Sequence, residues 1–96
     1  MRPYELVFVL KPDLKSGEEK RQQEKIVKLT ESLEGKVKKQ EVWGERQLAY
    51  PIQKFEKGVY VKFELELPEK NIREWDKKMK LEEKIIRYLL IRRATS

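Results

Sequence analysis

At 96 residues the chain is sized for one small domain with a modest core. It carries 23 Lys/Arg against 17 Asp/Glu and has neither Cys nor His. That excludes disulfides, thiolate catalysis and zinc–thiolate sites, and removes the commonest general base and metal ligand. Charged residues make up 42% and apolar residues 39%, a balance that borders on disordered chains, but the apolar positions recur with clear periodicity and select a folded domain. The opening apolar run, Leu6 to Leu10, is too short to be a signal peptide or a membrane span, so a soluble cytosolic protein is expected. The formal charge of +6 is unevenly placed: residues 1–69 hold 14 basic and 13 acidic side chains, residues 70–96 hold 9 and 4. A local basic excess of this kind suits a polyanionic partner.

Arg2 to Leu10 alternates as a strand, and Val7 and Val9 make its second face apolar too, which predicts a central position in a sheet. Lys11-Pro12-Asp13 ends it. Ser16 and Glu19 form a capping-box pattern for a helix over about 17–34, with Ile26, Leu29 and Leu33 on one face and Gly35 as its stop. The wholly polar first half of that helix, Glu18 to Lys25, is expected to project into solvent. A second strand starts at Lys36 and runs through Gly44 to Ile52, and Lys54 to Gly58 is expected to connect a hairpin. Val59, Val61, Phe63, Leu65 and Leu67 then alternate strictly as a third strand. Pro68 opens a second helix with Ile72, Trp75 and Met79 on one face. A last strand over about 85–93 places Ile86, Tyr88 and Leu90 on one face, and Arg87, Leu89, Ile91 and Arg93 on the other.

The order βαββαβ is the split βαβ, or ferredoxin-like, α+β arrangement: residues 1–96 as a single domain, two helices on one face of a four-stranded antiparallel sheet. Right-handed crossovers make the first and third strands central and the second and fourth edges. The middle of the second strand fits an edge. Gly44 predicts a bulge or a close backbone approach, and Pro51 lacks the N–H that an inner strand would need.

The stretch Gly44-Glu45-Arg46-Gln47-Leu48-Ala49-Tyr50-Pro51-Ile52 resembles the signature of the bacterial ribosomal protein S6 family of the small ribosomal subunit. Arg2, Tyr4 and Glu5, then Pro12, Gly58, Tyr60 and Arg87, match in the same order, and the resemblance covers about residues 2–93. It implies a structural, non-catalytic protein of the ribosome that uses no cofactor. It also implies binding to the central domain of small-subunit ribosomal RNA as a heterodimer with ribosomal protein S18.

The residues themselves point to two surfaces. Leu6, Phe8, Val61, Phe63, Tyr88 and Leu90 are expected to pack on Ile26, Leu29, Trp75 and Met79. The helix-free face then displays Val7, Val9, Tyr60, Leu89 and Ile91, an apolar cluster that suits a protein partner. RNA contact is expected from marginal guanidinium groups, which hold phosphate bidentately: Arg2, Arg46, Arg87, Arg92 and Arg93. Tyr4 and Tyr50 are expected to serve mainly as packing. The alternative is a stand-alone module like an RNA-recognition motif. Such modules stack bases on aromatics of the two central strands, where this chain has aliphatics beside Tyr60. Acylphosphatases share the topology, but their Gly-rich phosphate loop with an early Arg has no match in residues 7–17, and no P-loop or dinucleotide fingerprint occurs. A regulatory domain for a small ligand ranks third.

Overall fold

The structure, a computed structural model, describes residues 1–93. Strand β1 (Arg2–Leu10) leads to helix α1 (Glu18–Ser32), and strands β2 (Lys36–Ile52) and β3 (Phe55–Leu67) form a long hairpin. A 3₁₀ turn (Glu69–Asn71), helix α2 (Ile72–Met79) and strand β4 (Ile85–Arg92) complete the order. The sheet runs β2-β3-β1-β4 with every pairing antiparallel, so β1 and β3 are central and β2 and β4 are edges.

The register explains the alternation. On the helix side Tyr4, Leu6 and Phe8 of β1 lie opposite Leu65, Phe63 and Val61 of β3, and opposite Arg92, Leu90 and Tyr88 of β4. Phe8 and Phe63 meet edge to face at 5.2 Å. Trp75 and Met79 of α2 and Ile26 of α1 close this core from above. Trp75 is fully buried, so its indole N–H needs an acceptor. Thr30 Oγ1 accepts it at 3.1 Å while donating to the Ile26 carbonyl at 2.9 Å.

Several local expectations change for identifiable reasons. No side chain caps α1: Ser16 lies outside it, and Gly17 enters in the left-handed region at φ 89°, with Glu18 and Glu19 complementing the helix N-terminus. The polar first half of α1 is not simply solvated. Gln22 is buried and donates to Glu82 at 2.9 Å, while Lys25 pairs with Glu82 and Lys84 with Glu18, both at 3.0 Å. At the other end the left-handed residue is Glu34 (φ 67°), not Gly35. Gly35 donates to the Thr30 carbonyl at 2.9 Å, closing a Schellman-type turn. It must be glycine because a Cβ there would lie 2.3 Å from the Glu66 carbonyl oxygen. The hairpin turn is shorter than expected, with Gln53 and Lys54 both at positive φ (50° and 70°) as the central residues of a type I′ turn have. β3 therefore begins at Phe55 and contains Gly58.

Ile86 changes faces. The pairs Val9–Arg87 and Leu10–Ile85 leave it as the extra residue of a bulge. Ile85 consequently joins the main core, and Ile86 packs with Val9 on the helix-free side.

Tyr88 ties β4 to α2, donating its hydroxyl to the Asp76 carboxylate and packing its ring against Trp75 at 6.1 Å. The Asp76 carboxyl is held below its ordinary value, first by this hydrogen bond and then by Lys80. Because the folded-state value is depressed, its contribution is present above about pH 4 and is lost as pH falls through the folded value. Tyr88→Phe should therefore make stability less acid-sensitive in that window, measured as the urea midpoint between about pH 5 and 2.5. An unaltered pH profile would show that the Tyr88–Asp76 bond contributes nothing. Thr30→Val strands the Trp75 N–H and should cost about 1–3 kcal/mol in the same assay.

Candidate interface for RNA and a partner protein

Two halves with different structure make up the helix-free face of the sheet. Along it run cross-strand rows. Lys39, Glu64, Glu5 and Ile91 form one, and Glu41, Lys62, Val7 and Leu89 form the next. Gly44, Tyr60, Val9 and Arg87 form a third. The β2–β3 side of the first two rows is ionic. Lys62 pairs with Glu5 at 3.2 Å, Lys39 pairs with Glu41 at 3.0 Å, and Arg93 reaches Glu64. On the β4 side, Leu89 and Ile91 stay 56% and 46% exposed, with half-buried Val7 beside Leu89. Down β4 and one residue past its end the exposed side reads Arg87, Leu89, Ile91, Arg93: two aliphatics between two cations.

The third row is covered. Between the pairs Gln47–Lys57 and Ile52–Phe55 the β2 strand carries four residues against one in β3, so residues 48–51 arch out of the ladder. Leu48 turns in and is buried on Val9 and Ile86, and Ile52, Phe55 and Tyr60 pack around them. Pro51 falls in this unpaired stretch, where its missing N–H costs no ladder bond. Gly44 (φ 91°) sits at an earlier bulge. A Cβ there would meet open space, so its backbone conformation, and not a close approach, requires glycine. The close approach is at Gly58, where a Cβ would fall 2.2 Å from Val9 Cγ1.

Val9 is therefore not displayed. At 4% exposure it is the floor beneath Leu48, and a carboxylate placed there would be buried without a partner. Of the five residues expected on the partner face, Val7, Leu89 and Ile91 form one continuous patch. Tyr60 belongs with Val9 to the Leu48 cluster and remains partly exposed.

All five expected arginines are exposed, but they do not form one group. Arg2, Arg92 and Arg93 lie where β1 begins. Arg2 pairs with Glu69 at 3.2 Å, and Arg93 with Glu64 and Glu5. Arg87 lies six residues from Arg93 along β4, roughly 20 Å at ~3.3 Å per residue. There the Tyr50 hydroxyl accepts its guanidinium N–H at 3.1 Å. Arg46, opposite Gly58 on β2, belongs to this second half. Arg46 and Arg92 make no ion pair among the described residues.

The pattern that defines the family "Ribosomal protein S6" matches residues 3–92. The chain belongs to the ribosomal protein S6 family. It is 37% identical over 90 residues to small ribosomal subunit protein bS6 of Dictyoglomus turgidum, covering 94% of this chain and 93% of that one. It is 36% identical to the bS6 protein of Corynebacterium aurimucosum, covering 96% of both. The fold matches the crystal structure of 30S ribosomal protein S6 from Thermotoga maritima with a TM-score of 0.89 at 31% identity, covering 96% of this chain and 87% of that one. Membership makes this a ribosomal protein of the small subunit, part of the translation machinery in the cytoplasmic ribosome, with the ferredoxin-like fold expected from its sequence.

Placed on the structure, the S6 signature is a device for bending one edge strand over the sheet. Gly44 sets the bulge, Leu48 anchors the arch, Tyr50 holds Arg87, and Pro51 occupies the break in pairing. Tyr50, expected to serve mainly as packing, is instead exposed and bonded to an arginine. Trp43, to which the sequence alone attaches no role, is 42% exposed beside Tyr60. Its one signal in the sequence is an aromatic immediately before the signature, in an otherwise Lys/Glu-rich stretch.

Gly58→Ala should overpack Val9 and cost about 1–3 kcal/mol in urea unfolding. Adding Val9→Ala should recover part of that cost, so the pair falls short of additivity by about 0.5–3 kcal/mol. Strictly additive losses would contradict the contact.

Proposed function

We propose that the chain, acting as one ferredoxin-like domain over residues 1–96, binds the central domain of small-subunit ribosomal RNA together with ribosomal protein S18. The role is structural, with no catalytic step. The observation that carries this reading is the exposed side of β4, where Leu89 and Ile91, with Val7 beside them, lie between Arg87 and Arg93. An exposed aliphatic patch is best satisfied by protein, and guanidinium groups at its ends are suited to RNA phosphate. A partner seated on Val7, Leu89 and Ile91 would leave Arg87 and Arg93 at the margin of a composite surface. Arg46 extends the cationic margin on the β2 side, and Arg2 and Arg92, at helix-side positions of the register, add positive charge at the end of the sheet where β1 begins. S6 family membership supports a ribosomal RNA target in the small subunit, and the distribution of apolar and cationic groups supports a division between an RNA and a protein partner.

The test is a titration against a central-domain ribosomal RNA fragment at two salt concentrations, alone and with S18. Binding should require S18. Arg87→Ala should weaken it and flatten its dependence on log salt, by about 0.7–0.9 for each phosphate that is no longer neutralised. Ile91→Glu should remove S18 binding while the fold survives, because Ile91 is exposed. Undiminished S18 affinity in Ile91→Glu would place the partner elsewhere. Tight RNA binding by the chain alone would favour an independent RNA-recognition module.

A further inference from the structure

On the edge of the sheet, outside the apolar patch of β4, Trp43, Arg46, Gln47 and Tyr60 line an open cleft of ≈ 490 Å³. The Gly44 bulge creates it: the extra residue in β2 lets Trp43 share a concavity with Arg46 across from Tyr60. The indole N–H donates to Glu41 at 3.2 Å, which fixes the ring while leaving it 42% exposed. The acids beside the cleft already have counter-charges, Glu41 with Lys39 at 3.0 Å and Glu45 with Lys57 at 3.9 Å. Arg46 has none among the described residues, so the cleft carries one uncompensated positive charge.

We infer that this cleft takes an unpaired nucleotide of the bound RNA, its base stacked against Trp43 and Tyr60 and its phosphate on Arg46. The inference rests on the RNA-binding reading above and adds a site to it. An aromatic plane accepts any base, a guanidinium suits phosphate, and the Gln47 amide offers both a donor and an acceptor to a base edge. An apolar side chain of a protein would satisfy the aromatics but would cover Arg46 without a counter-charge, which is unfavourable. A paired base cannot enter, because its faces are already stacked.

The chain has two tryptophans, and Trp75 is fully buried, so the exposed emission comes from Trp43. Titrating the full chain, already bound to S18, with a mixed-sequence single-stranded RNA oligonucleotide should quench that emission, and the same sequence annealed as duplex should not. In the complex with S18 and the ribosomal RNA fragment, Trp43→Leu should weaken RNA affinity about 5- to 150-fold, the ~1–3 kcal/mol of one stacked base. Arg46→Gln should also weaken it and lower the salt slope. Emission unmoved by the oligonucleotide, with Trp43→Leu harmless in a complex that still binds the fragment, would overturn the cleft and leave the RNA-binding reading standing. Emission that shifts on adding S18 alone and then ignores RNA would give the cleft to a protein side chain, and would also overturn it.

Discussion

Val9 and the two residues that meet it, Leu48 and Gly58, decide what the helix-free face looks like. An open four-stranded sheet with helices on one side leaves its other face in water, and β1 is apolar on both faces. The chain covers part of that exposed surface with itself, over the row of Val9 and Tyr60. Gly58 lacks the carbon that would strike Val9, and Leu48 drops out of the ladder to lie on Val9 and Ile86. Burying three aliphatic side chains there stabilises by roughly 1.5–3 kcal/mol each, as an upper estimate. The arch then brings the Tyr50 hydroxyl to Arg87. Without that cluster, the edge strand would have no reason to bend.

The rest of the face follows from where the arch stops. Beyond it, Leu89 and Ile91 stay exposed, and the neighbouring Glu and Lys rows satisfy one another. The arginines therefore fall into two classes. Arg2 and Arg93 hold carboxylates and must exchange them for phosphate, so their net contribution to binding is smaller than bare charge suggests. Arg46 and Arg92 have no partner to surrender among the described residues, and Arg87 gives up only a neutral hydroxyl. Exposed ion pairs are worth little, which keeps that exchange inexpensive and sensitive to salt.

Features that depend on repeated burial were legible in the sequence. The alternation of Tyr4, Leu6 and Phe8 against Val61, Phe63 and Leu65 records the core face, and Pro51 records an edge. Features that depend on a single contact were not. Ile86 changes faces at a one-residue bulge that an alternating pattern cannot reveal. Gly58 reads as turn punctuation until Val9 is seen against it, and the true turn, Gln53-Lys54, lacks the Asn-Gly chemistry that would mark it. Ser16 and Glu19 form a valid capping pattern that tertiary structure does not use. The polar stretch from Glu18 to Lys25 gives no sign that Gln22 will be buried against Glu82, 60 residues away. On the functional side, the exposed Leu89 and Ile91 followed from strand alternation, while Trp43 needed the bulge to place it beside Tyr60.

The central claim is a division of labour: protein on the Val7–Leu89–Ile91 patch, RNA on the arginine margins. Backbone and side-chain NMR of the labelled chain, with S18 added first and the ribosomal RNA fragment second, addresses it most directly. S18 should shift the resonances of Val7, Leu89 and Ile91 and leave Arg46 and Trp43 in place, and RNA should then move Arg2, Arg46, Arg87, Arg92 and Arg93. Both additions moving the same residues, or S18 perturbing α1 and α2 instead of β4, would contradict the division.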